Sequence, residues 1–160
     1  MCVLRRPSNV LLFESGHGFP VAKVADFGIS KPVDMTTHFT TQAFTAPYAA
    51  PEVLWPSLGP ARSSVDVYSF GVLMGALLTQ LSPRVPDIRK HAPETAPPRH
   101  TAAALSVSGA PPDVLDLHAA CVSLDATKRP TFTAIVDRLL EQAAALREAE
   151  RRHGVAGVLW

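Results

Sequence analysis

The 160-residue sequence has two cysteines, Cys2 and Cys121, too few for a disulfide framework. It has little net charge. Fifteen Lys and Arg against fourteen Asp and Glu leave +1. That balance gives no electrostatic argument for nucleic acid or for an acidic membrane surface. Long apolar runs are missing too. Val10 to Phe13, behind Arg5 and Arg6, is too short for a signal peptide. The longest run, Phe70 to Leu81, is interrupted by Thr79 and Gln80, too short to span a bilayer, and reads as a core helix. A reducing, cytoplasmic compartment is the plain expectation. Acidic residues are absent from the first thirteen positions, Glu14 being the first. Charged residues make up 18% against 47% hydrophobic, so the chain is globular and is expected to leave some apolar surface without a partner.

What is present is one domain's worth of chain with much loop, fifteen prolines and nine glycines among it. Val10 to Phe13 reads as a short buried strand, and Val21 to Ala25 as the strand returning after a glycine turn. Residues 29–49 have no period and read as a loop. Ser63 or Ser64 is placed to cap a helix starting near Val65, with Asp66 in its first turn. Val67, Phe70, Val72, Leu73, Leu77, Leu78 and Leu81 cover more than one face, so this helix is expected to be buried on nearly all sides. Residues 82–112 are proline-rich and read as a long loop, with Thr101 to Leu105 a candidate short helix and His91 and His100 as solvated histidines. Pro112 sits at a helix start, with Val114, Leu117 and Cys121 at helical spacing and Cys121 expected to be a buried thiol. Asp125 to Lys128 is a turn. Thr133 to Arg152 predicts an amphipathic helix.

Five stretches carry the rest of the reading. In order they are Pro7-Ser8-Asn9-Val10-Leu11-Leu12, Asp26-Phe27-Gly28, Ala50-Pro51-Glu52, Asp66-Val67-Tyr68-Ser69-Phe70-Gly71 and Arg129-Pro130-Thr131-Phe132. In this order and at these spacings they resemble the C-terminal lobe of a protein kinase, over residues 1–147. The remainder, 148–160, is a tail. The resemblance implies a mainly α fold, a helical lobe with a short β-hairpin carrying Asp-Phe-Gly, and no N-terminal lobe within the chain.

The resemblance also implies roles. Asn9 and Asp26 match the ligands of Mg²⁺, a hard cation that prefers oxygen. Arg6 stands at the catalytic-loop lysine position. Leu11, with Leu73 and Leu77, falls in the stack under the adenine of ATP; all three are equally ordinary core leucines. Phe27 matches the aromatic member of the regulatory stack, whose histidine is replaced by Cys2. From Asp26-Phe27-Gly28 to Glu52 the chain resembles an activation segment, in which Thr36, Thr37, Thr40, Thr41 and Thr45 offer hydroxyls for phosphorylation. Asp66 matches the aspartate that hydrogen-bonds the catalytic-loop backbone. Glu52 and Arg129 match a buried ion pair, and their place inside matching motifs favours that pair over two surface charges.

The catalytic aspartate has no counterpart. Aligning Pro7 and Asn9 puts Leu4 at its position, and sliding by one puts Val3 there. Pro7, Thr45 and Tyr48 fit the Ser/Thr type, and Arg-Pro-Thr-Phe leans toward the tyrosine-kinase-like group. Two readings follow. One is a partial Ser/Thr kinase domain, inactive as this chain, whose partners are protein substrates. The other is a non-catalytic, pseudokinase-type module that binds docking partners. The partial kinase domain is the main reading and the docking module the alternative.

Overall fold

The computed structural model describes residues 9–15, 20–25, 47–84, 87, 90–96 and 98–153. Of the residues singled out above, Arg6, Asp26, Phe27, Gly28, Thr36, Thr37, Thr40, Thr41 and Thr45 lie outside them, as do Cys2 and the tail from 154.

Two short strands, β1 (Val10–Phe13) and β2 (Val21–Val24), pair antiparallel with Val10 opposite Val24 and Phe13 opposite Val21. The Ala25 N–H donates to the Asn9 carbonyl at 2.6 Å and closes the open end of the ladder. The expected burial of Val10 to Phe13 does not hold. Leu11, Leu12, Phe13, Val21 and Val24 are all exposed. The reason is that the strands pair only with each other, and no second layer among the described residues lies across either face. The Lys23 ammonium covers the Phe13 ring from 4.9 Å, a diagonal cross-strand contact.

The remainder is helical. A single turn, α1 (Pro51–Leu54), starts on a proline whose missing N–H costs nothing at that position. Next comes α2 (Ser64–Thr79), then α3 (Ala102–Ser106), α4 (Pro112–Cys121) and α5 (Phe132–His153). The caps explain several boundaries. Thr101 Oγ1 accepts from the Ala104 N–H at 3.1 Å, and Thr131 Oγ1 from the Ala134 N–H at 3.2 Å. Asp125 Oδ1 accepts from the Thr127 N–H and hydroxyl and folds a 3-10 turn over Ala126–Lys128. The expected serine cap of α2 is absent. Ser63 already has helical angles, φ −57° and ψ −22°, and an N-cap side chain reaches its target only from extended backbone. A tightened turn serves instead, with Val65 donating to the Arg62 carbonyl and Asp66 to that of Ser63.

The core forms on both sides of α2. Tyr48, Ala50, Val65, Tyr68 and Val72 make one cluster. Val67, Met74, Leu117, Cys121 and Ile135 make the other, where α2, α4 and α5 meet. Close approach is set at Gly71, where a Cβ would stand 2.7 Å from Cys121 Cβ. Burial raises the Cys121 thiol to about 11, so it is inert packing rather than a nucleophile. Only the first two-thirds of α2 is enclosed. Leu77 is 71% exposed, and Leu81, beyond the helix end at Thr79, is also exposed, which corrects the all-round burial expected from composition. The chain turns away there through Gln80, at a left-handed φ of 55°, which leaves the Leu77 and Leu81 side chains exposed. In the first half of α5, Arg138 donates to the Asp113 carbonyl and Gln142 to its carboxylate, fastening α5 to α4.

Candidate functional site

The best-built polar site lies where residues 48–52 cross α2. Glu52, in the first turn of α1, is 5% exposed. Its carboxylate accepts from both ends of Arg129, NH1 on Oε1 at 2.7 Å and NH2 on Oε2 at 2.8 Å. This is the two-point pairing that planar guanidinium geometry allows. Arg129 also donates from Nε to the Ser123 carbonyl at 2.9 Å and from NH1 to that of Ser64 at 3.1 Å. One side chain thus ties α1, the start of α2 and the end of α4 together. Its guanidinium lies 5.0 Å from the centre of the Tyr68 ring.

Two further side chains hold the same segment. Ser69 donates its hydroxyl to the Tyr48 carbonyl at 2.9 Å. Arg99 donates to the Ala49 carbonyl at 3.0 Å and lies 5.9 Å from the Tyr68 ring, so two guanidiniums face that ring. Burial raises the Tyr68 hydroxyl above its ordinary pKa and lowers that of Arg99. Nothing in the sequence singles out Arg99, which sits in the proline-rich stretch. Ser69 had a readable signal, as a polar residue inside an otherwise apolar helix.

Among the other expected site residues, Asn9 is buried at the mouth of the hairpin, its carbonyl accepting from the Ala25 N–H. Asp66 is buried in the first turn of α2. Leu11 is 47% exposed on the hairpin, and Leu77 is exposed at the far end of α2. No group of three or more His, Cys, Asp or Glu gathers among the described residues. Within those residues no helix is long and apolar enough to cross a membrane.

His100 departs from expectation. It is 6% exposed and packs edge-on against His118 of α4, ring centres 6.3 Å apart. The loop is not solvated here because the Arg84 N–H pairs with the Arg99 carbonyl at 2.9 Å and draws it onto the lobe. His118 escaped the sequence reading, although it shares the buried face of α4 with Leu117 and Cys121.

A segment ending in Ala-Pro-Glu, clamped to the lobe by a buried arginine beneath a central helix, defines a kinase-type helical lobe. The model of the protein kinase domain matches residues 6–140, and the chain belongs to the protein kinase family. It is 32% identical over 136 residues to serine/threonine-protein kinase 12 of Arabidopsis thaliana, covering 83% of this chain and 28% of that protein. It is 42% identical over 84 residues to serine/threonine-protein kinase A of Synechocystis, covering 51% of this chain and 16% of that protein. It is 41% identical over 78 residues to cAMP-dependent protein kinase type 3 of Saccharomyces cerevisiae, covering 49% of this chain and 18% of that protein. The chain therefore spans less than a third of the length of these relatives.

Proposed function

We propose that this chain is the substrate-side part of a Ser/Thr protein kinase domain and does not transfer phosphate by itself. The observation that supports it best is the two-point Glu52–Arg129 pair, which ties Ala50-Pro51-Glu52, the end of the proposed activation segment, to the helical lobe. In the family that segment presents the protein substrate. The Ser/Thr assignment rests on Pro7, Thr45 and Tyr48 and on the names of the relatives.

Asn9 and Asp26 are the residues that would hold Mg²⁺, and Leu11 the one against the adenine of ATP. Asn9 suits this, a buried amide where the hairpin opens. When bound, Mg²⁺ neutralises charge on the phosphates. Arg6 would meet the transferring phosphate with fork geometry. No carboxylate is available as a base, since Val3 or Leu4 occupies its position. Positioning of the acceptor hydroxyl is most of this chemistry, so its loss should abolish turnover. The threonines from Thr36 to Thr45 remain the candidate phosphorylation sites, and the cytoplasm the proposed compartment.

A second reading, a non-catalytic module that docks protein partners, is favoured by one contrast. The structural clamp is intact while the base position is apolar. A radiolabelled ATP assay on a generic basic substrate tests the main reading. No incorporation above background is expected. Turnover that vanishes with Asp26→Ala would show the chain to be an enzyme by itself.

A further inference from the structure

His100 and His118 take no part in the Glu52 clamp, and both rings are more than nine-tenths buried. His100 Nε2 lies 3.4 Å from the Leu81 carbonyl, which can only accept. The ring proton therefore sits on Nε2, and Nδ1 keeps its lone pair. That Nδ1 has no hydrogen-bond partner among the described residues, and neither has His118 Nε2. Buried polar atoms left this way are costly, so the pair asks for an occupant.

Both atoms converge on one spot. A Cβ built on Gly75 would stand 2.5 Å from His100 Nδ1 and 2.7 Å from His118 Nε2. Two donor atoms thus flank a single point beside α2, too closely for any side chain at position 75. The loop at residue 100, α2 and α4 each contribute one wall.

We propose that His100 and His118 form a two-coordinate site for a soft monovalent cation, Cu(I) by chemical class. Metal–imidazole bonds of about 2 Å put the two nitrogens about 4 Å apart and the ring centres about 6 Å apart in a near-linear arrangement. The observed ring-centre distance is 6.3 Å. The planes are 70° apart, which a two-coordinate ion tolerates because rotation about its axis is free. The His100 N–H directed at the Leu81 carbonyl is the kind of outer hydrogen bond that orients a ligating histidine. Zinc is disfavoured, because it takes four donors and no group of three gathers among the described residues. A single charge shared by two neutral donors also buries less charge than a divalent ion would.

Ag(I), which does not change oxidation state here, is the probe. The two thiols bind the same ions, so the titration uses the 160-residue chain carrying Cys2→Ser and Cys121→Ala. One equivalent should bind, with X-ray absorption showing two nitrogen neighbours and no sulfur. His118→Gln and His100→Gln should each weaken binding at least tenfold. Unchanged affinity in both, or sulfur in the coordination shell, would overturn the proposal. The same question is put to the unsubstituted chain by ¹⁵N NMR, independent of how the variants fold. Ag(I) should shift His100 Nδ1 and His118 Nε2; shifts confined to other histidines would equally overturn it.

Discussion

Arg129 meets Glu52 end to end, with NH1 on Oε1 and NH2 on Oε2, and neither side chain is more than 4% exposed. Removing one partner leaves the other charge buried and unpaired. Arg129→Met should cost roughly 3–5 kcal/mol, and Glu52→Gln a comparable amount. Arg129→Lys should recover little, because an ammonium cannot span both oxygens and the Ser123 carbonyl together. Urea unfolding of the three variants checks this. An Arg129→Met midpoint equal to that of the parent would refute it.

Gly71 should not accept a methyl group. Its Cβ would fall 2.7 Å from Cys121 Cβ and 2.8 Å from a methyl of Val122, both on short side chains with nowhere to go. Gly71→Ala should destabilise by about 1–3 kcal/mol through overpacking between α2 and α4. Gly59, open around its Cβ, is the contrasting glycine, where only its φ of 119° resists substitution. Thermal melts of Gly71→Ala and of Gly71→Ala with Val122→Ala should show partial rescue in the pair, since Val122→Ala removes the methyl and leaves Cys121 Cβ in place.

Stability should fall as pH drops from about 6.5, the ordinary imidazole value. Burial, with the neighbouring His100, lowers His118 to about 4, and burial lowers His100 as well. Between those limits the unfolded chain takes up protons that the folded one refuses, so the stabilisation present above pH 6.5 is lost toward pH 4. Denaturation midpoints measured across this window should slope less in His118→Gln than in the parent. Parallel slopes would count against the buried pair.

The hairpin surface should be replaceable. Leu12 is 69% exposed with no layer over it among the described residues. Leu12→Thr keeps a strand-forming residue and should change stability by less than about 0.5 kcal/mol while raising solubility. A loss of several times that in the melting profile would mean the face is covered.

Much of this was legible because it is local. Pro112 and Thr101 mark helix starts through backbone chemistry that needs no tertiary context. Arg129 and Glu52 were paired by their motifs, and the structure brings them together. What failed depended on partners. Val10 to Phe13 has the same apolar composition whether or not a layer covers it, and Leu77 reads as core until the turn at Gln80 is known. His100 looked solvated because prolines surround it. Its burial follows from the pairing of Arg84 with Arg99, a contact no periodicity announces. The metal and nucleotide roles of Asn9 and Leu11 came only from the family likeness and stand as proposals.

The two core clusters share one wall, and that wall is α2. Val72 and Met74 back onto different neighbours, yet both depend on the same run of backbone. Neither cluster can melt and leave the other its fourth side. The helical lobe should therefore open as one cooperative unit, with the α2 amides near Val72 among the last to exchange with deuterium. The hairpin, whose strands pair only with each other among the described residues, lies outside that unit. Its amides should exchange early, by local fraying rather than by global unfolding.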